Sequence, residues 1–318
     1  MALQKKNIFV RFGRAFLPMT VGALIVLGLF EGYIVYRLTH PSRTADEITP
    51  KHFQVLTGSG LAWSEEQWPN PDGTLSVGWL LRGAAGAPAI VLNHGYGRNR
   101  SELLSLGVKL GEAGYHVLLP DLRGHGASPV SYTSLGEYER RDLLSAIEFL
   151  KAKRDSQGQL ITDASRIGVY GVSLGGYAAV TAAAEDPAIH VVVADAVYPT
   201  PDNLTQALLK EIFVTNPQVL AKIAGVGLRG YLLGRYNDIS AGEAVTKYRD
   251  KKLWLLTTNG TGDEASRATL ELFQGATCAK EMVRVDRSRG ERLEGPEQDA
   301  YDDRIVNIFR KDLPRDSK

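Results

Sequence analysis

The stretch "YGVSLGG" places Gly171 and Gly175 two positions either side of Ser173. An apolar run precedes it and a helix-patterned run follows, so the serine is expected on a sharp strand-to-helix turn. Side chains at the two glycine positions would clash there with neighbouring backbone. Such a turn lifts the hydroxyl above the sheet edge, as a nucleophile toward a carbonyl requires. Attack develops negative charge on the carbonyl oxygen, which two preorganised N–H groups can hold. The backbone N–H of Leu174 is one candidate. The other is the N–H of Tyr96 in "LNHGYG", where His94, Gly95, Tyr96 and Gly97 follow an earlier apolar run. A serine hydroxyl is a weak nucleophile until a positioned base of near-neutral pKa takes its proton, so imidazole is the usual companion.

The elements that would position these residues alternate along the chain. "LSVGWLL", "APAIVLNH", "YHVLLPDLRG", "RIGVYGVS", "AIHVVVADAV", "KKLWLLTTNG" and "KEMVRVD" read as strands. "RSELLSLGVKLGEAG", "LGEYERRDLLSAIEFLKAK" and "LGGYAAVTAAAED" read as helices, as does a closing segment with Tyr301, Ile305 and Ile308 on one face. This alternation predicts an α/β fold, with a mainly parallel central sheet and helices on both faces. Residues 199–250 interrupt it with helical periodicity between two strands. A simple crossover rarely needs such length, so a helical cap over the carboxyl ends of the strands is expected, where ligands bind in such sheets.

With these motifs in order the chain resembles the α/β-hydrolase family, in particular bacterial membrane-anchored serine hydrolases of the esterase and S9-peptidase-like kind. The resemblance runs from Glu65 to Leu313 and includes "WPNPDGTLSVGWLL", "NHGYG", "LPDLRGHGAS", "RIGVYGVSLGGYAA" and "LLTTNGTGDEAS". It implies a chain order of serine, acid, histidine, and puts Asp263 at the acid position. The histidine is then missing. The six histidines stand at 40, 52, 94, 116, 125 and 190, all before the acid loop. The family pattern has a histidine about eleven residues before a tyrosine that starts Y-x-x-x-I-x-x-x-F. Here Tyr301, Ile305 and Phe309 fit, and the position counted back is Gly290.

Substitutes for the base are few. His116 and His190 fall at strand starts, at the far edge from Ser173, and His40 and His52 are assigned to a tether. His94 and His125 lie on the correct side and are the candidate substitute bases, although both occupy motif positions where the family keeps a histidine for loop structure. Glu291 has an ordinary pKa of about 4.3 unless buried, and Arg289 and Arg292 cannot accept a proton.

The N-terminus carries a different signal. Residues 1–15 hold Lys5, Lys6, Arg11 and Arg14 with no acid, and "FLPMTVGALIVLGLFEGYIVYRL", about residues 16–36, is as long as a membrane-spanning helix needs to be. It lacks the small-residue cleavage site of a signal peptide. The excess of cations before it places the N-terminus in the cytoplasm, so the large domain, residues 65–318, is expected outside the membrane on the other side. Residues 37–64 read as a polar, proline-punctuated tether without helical or strand period.

Over 318 residues, 44% hydrophobic and 23% charged residues are enough for one globular core, and a net charge of +1 gives no reason to expect a nucleic-acid partner. The single cysteine, Cys278, rules out an internal disulfide and any cysteine-based zinc site. No metal-ligand cluster or phosphate-cradling glycine motif appears, so no cofactor is implied. Two functions follow. One is a membrane-anchored serine hydrolase acting on an ester, thioester or amide through Ser173, impaired by the lost base. The other is an inactive relative whose pocket binds a small molecule or peptide, or which serves as a partner module.

Overall fold

The computed structural model describes residues 2–58, 60–212, 217–236, 239–258, 264–288 and 293–315. Helix α1 (Ala2–Thr39) contains the long apolar run, and α2 (Pro50–Thr57) follows. The segment 37–64 is thus partly helical where no period was expected. Thr49 caps α2 by accepting a hydrogen bond from the His52 N–H, and Pro50 starts it, a local signal too short to register as periodicity.

The sheet is formed by β1 (Trp63–Pro69), β2 (Leu75–Leu81), β3 (Ala87–Asn93), β4 (His116–Pro120), β5 (Thr162–Val172), β6 (Ile189–Asp195), β7 (Lys252–Thr258) and β8 (Ala279–Val285). Their spatial order is β1-β2-β4-β3-β5-β6-β7-β8. β2 pairs antiparallel with β1 and β4, and the remaining pairings are parallel. β3 is buried along its whole length, as a strand covered on both faces must be. Ala89 and Val91 face one core and Ile90 and Leu92 the other.

Helices α4 (Glu137–Ala152), α5 (Leu174–Ala183), α8 (Ala241–Thr246) and α9 (Glu264–Gly275) cover the first face. Helices α3 (Leu104–Glu112) and α10 (Gly295–Asp312) cover the second, α10 burying Tyr301, Ile305 and Phe309. Close approach is what lets α10 seat: a Cβ at Gly168 of β5 would lie 2.6 Å from the Phe309 ring.

Between β6 and β7 the chain forms α6 (Pro201–Ile212), α7 (Pro217–Tyr231) and α8. The first two build a third apolar cluster above the sheet, and the end of α1 joins it through Ile34, Val35 and Leu38. The segment after α1 is not a loose connection. Asn99 Nδ2 donates to the Thr44 and Ala45 carbonyls, Arg43 Nη1 donates to the Ser128 carbonyl at 2.9 Å, and Arg100 Nη2 meets Asp46 at 3.2 Å.

Candidate active site

Ser173 stands between β5 and α5 with φ 51° and ψ −111°, a conformation costly for a residue with a Cβ. Two contacts make it tolerable. A Cβ on Gly171 would lie 2.2 Å from the Gly175 carbonyl oxygen, and one on Gly175 would lie 2.4 Å from that of Asn93, so only glycine fits at either position. The Ser173 N–H donates to the Asp195 carbonyl at 2.9 Å, and its own carbonyl accepts the Tyr177 N–H. The first turn of α5 starts at Leu174, where helix N–H groups lack partners within the helix and the helix dipole is positive.

Ser173 lines a cavity of about 550 Å³. Gly95 and Tyr96 form the wall beside it, and a Cβ added to Gly95 would lie 3.8 Å from the Ser173 Cβ. The Tyr96 hydroxyl is turned away, donating to the Leu38 carbonyl at 2.9 Å, and burial raises its pKa. Leu204 and Leu208 of α6 supply the apolar side.

His94 and His125 stand differently from bases for this serine. His94 is fully buried, with Nδ1 donating to the Gly95 carbonyl at 2.8 Å and Nε2 accepting the Leu122 N–H at 3.0 Å, so both ring nitrogens are committed. Burial lowers its pKa to about 4. His125 donates from Nδ1 to the Arg123 carbonyl at 2.8 Å and packs edge-on against the rings of His94 and Tyr96. Burial, with His94 beside it, lowers its pKa to about 3. Neither lines the cavity, and no described hydrogen bond joins either to Ser173. The Leu122 N–H to His94 bond ties the "NHGYG" loop to the segment after β4, and the His125 ring packs against that junction.

That burial has a measurable sign. A histidine with a folded pKa near 3 binds its proton only in the unfolded chain once pH drops below the ordinary value of about 6.5, so its contribution to stability is present above 6.5 and lost on acidification. His125→Phe keeps the ring contacts and cannot titrate. Urea unfolding of the full chain in detergent from pH 7 to 5 is expected to show wild type losing about 1.4 kcal/mol more per pH unit below 6.5 than the variant. Parallel curves would contradict this.

His40 requires a correction. Assigned to a tether, it instead lines the cavity with Arg37, because the last turn of α1 folds over the site. Its ring stacks on Tyr36, centroids 4.3 Å apart, and Nδ1 lies 3.2 Å from the Tyr36 carbonyl. His116 and His190 stay at strand starts, where they bond the Ala84 and Ala188 carbonyls.

A buried network beneath the serine was missed. Asp195, fully buried at the end of β6, accepts from Tyr301 Oη at 2.7 Å and from Ser288 Oγ at 3.0 Å, and Tyr170 Oη lies 3.1 Å from Tyr301 Oη. Burial, with Asp195 and Tyr170 adjacent, raises the Tyr301 pKa well above its ordinary value and keeps it a neutral donor. Ser288 carries this network to the cavity wall. An acid ending the run "VVVAD" was the signal available. Asp263, Gly290 and its neighbours Arg289, Glu291 and Arg292 lie outside the described residues.

The arrangement defines a class: a serine on a strand-to-helix elbow at the carboxyl edge of a mainly parallel sheet, under a helical cover. Residues 90–297 match the model of the alpha/beta hydrolase family, and the chain belongs to that family. No curated protein sequence matches significantly. Among solved structures it is similar to an esterase from Pyrococcus furiosus, with 21% identity, a TM-score of 0.65, and 87% of this chain and 99% of that one covered. An acetyl xylan esterase from Paenibacillus shares 18% identity over 87% of this chain and 92% of that one, with a TM-score of 0.56. An acylaminoacyl peptidase from Pyrococcus horikoshii shares 15% identity, a TM-score of 0.60, and 84% of this chain against 44% of its own. At these identities the likeness is one of fold.

Proposed function

We propose that the protein is a membrane-anchored serine hydrolase in which Ser173 attacks the carbonyl of an ester, thioester or amide. The observation that carries this reading is Ser173 itself, held at φ 51° by glycines that nothing else can replace, beside a 550 Å³ cavity. Strain of that kind is retained where an exposed hydroxyl is needed. The N–H groups of Leu174 and Tyr96 hold the developing oxyanion, and Asp263 is the acid of the chain-order triad. With glycine at position 290, no imidazole from the closing loop takes the hydroxyl proton, and turnover stays low.

The apolar helix segment Phe16–Thr39 is 24 residues long, enough to cross a bilayer, and anchors the protein with its N-terminus in the cytoplasm and the catalytic domain on the other side. A short-chain p-nitrophenyl ester tests the chemistry. The full chain in detergent is expected to hydrolyse it about a thousandfold above buffer, the excess that oxyanion stabilisation and binding leave without the base, and Ser173→Ala to fall little below that rate. A rate no faster than buffer would contradict this reading.

A further inference from the structure

Helix α7 has two unlike faces. Ala221, Ala224, Leu228 and Leu232 are buried in the cluster that receives the end of α1. On the opposite side Val219, Ile223, Val226 and, just past the helix, Leu233 are exposed at 61%, 38%, 66% and 88%. The spacing of four and three residues puts Val219, Ile223 and Val226 on one apolar stripe of a helix of 3.6 residues per turn, and Leu233 is exposed in the turn that follows α7. A cap helix facing water would carry polar residues there. Lys222 and Arg229 are exposed along one flank of the stripe, Arg229 also facing Asp202 at 3.8 Å.

The other flank belongs to α1. At Gly227 an added Cβ would lie 2.7 Å from Val35 Cγ2 and 2.8 Å from Glu31 Oε1, so the two helices touch through a glycine. This contact fixes a depth. A hydrocarbon core about 30 Å thick takes about 20 helical residues at 1.5 Å each. A span that begins at Phe16, just after Arg14, therefore ends near Val35. Helix α7 meets α1 at residues 31 to 35, which is the outer edge of that span.

The geometry points to α7 as a second membrane contact, its stripe of Val219, Ile223 and Val226, with Leu233 in the turn beyond it, seated in the boundary between headgroups and acyl chains of the bilayer that α1 crosses. Lys222 and Arg229 reach the lipid phosphates along one flank, in the manner of an interfacial amphipathic helix. This rests on the reading of α1 as a membrane anchor. A soluble partner or a second copy on the stripe would have to displace lipid at that depth. One consequence concerns the site: Arg37 and His40, which line the Ser173 cavity, follow Val35 by two and five residues, so the cavity opens at headgroup level and draws its ligand from the bilayer surface.

The test uses the full chain with Cys278→Ser and single nitroxide-labelled cysteines at Leu24, Val219, Val226 or Leu160. Leu160 is exposed near the start of β5, at the opposite end of that strand from Ser173. In phosphatidylcholine–phosphatidylglycerol vesicles, oxygen and a water-soluble nickel chelate compete to relax each label. Labels at Leu24, Val219 and Val226 are expected to favour oxygen over nickel about fivefold more than the label at Leu160. A lipid-like Leu24 with Val219 and Val226 matching Leu160 would overturn the inference and leave the anchor standing. A water-like Leu24 would overturn the anchor and the inference together. Labels on α7 shielded from both reagents would show protein, not lipid, over the stripe and overturn it as well.

Discussion

Replacing Gly290 by histidine is expected to raise the rate of ester hydrolysis by about a hundredfold to ten-thousandfold, the range a positioned general base contributes. The expectation follows from what stands around that position. Ser288, two residues earlier, lines the same cavity as Ser173 and is fixed by its hydrogen bond to Asp195. Leu293, three residues later, is buried, and the helix that follows is seated through Tyr301, Ile305 and Phe309 in the pattern that placed the family histidine. On the proposed reading the serine, the helix N-terminus and the glycine loop need no rebuilding, and one imidazole would supply the base. Gly290→Ala is the control and should leave the rate unchanged, while Ser173→Ala combined with Gly290→His should erase the gain. No gain in the histidine variant would mean that the base is supplied elsewhere, with His40 in the cavity wall the first residue to replace.

The second large effect is on stability. Arg123, 1% exposed, donates from Nε and Nη2 to both oxygens of Asp142 at 2.7 and 2.5 Å, and from Nη2 to Asp72 at 3.1 Å, with its guanidinium 4.5 Å from the Tyr138 ring centre. Asp142 is itself buried, and burial holds its carboxyl at about 6 against the pull of Arg123. Arg123→Ala leaves that carboxylate without its cation. The expected cost at pH 8 is about 3–5 kcal/mol by urea denaturation. The sign with pH is defined: without the guanidinium the folded-state pKa rises further above its unfolded value of about 3.8, so the variant recovers stability as pH falls toward 5. A loss under 1 kcal/mol, or one that grows toward pH 5, would contradict this account.

What the sequence could reveal followed the range of the physics involved. The elbow was legible because its geometry demands glycine at Gly171 and Gly175, a requirement met within five residues. The sheet was legible because strands buried on both faces must be apolar along their run, as "AIVL" and "VVVA" are. Helix α2 was missed for a different reason. Its eight residues carry little periodicity, although Thr49 followed by Pro50 was a cap signal open to reading.

The site's wall was harder. His40 enters the cavity because Asn99, Arg100 and Ser128, between 54 and 85 residues away along the chain, hold the segment after α1 in place. The Asp195 network closes through Tyr301, 106 residues distant. Contacts at such separation leave no local pattern. The polar residue at the end of an apolar strand was the only trace of the second, and a proline-punctuated polar stretch concealed the first.

The most direct measurement of the central claim is the site of covalent modification by a fluorophosphonate probe, mapped by peptide mass spectrometry on the full chain and on the Gly290→His variant. The account predicts one adduct, on Ser173, formed slowly in the natural chain and rapidly in the variant, and absent from both when Ser173 is alanine. An adduct on another residue, or none in either protein, would contradict it.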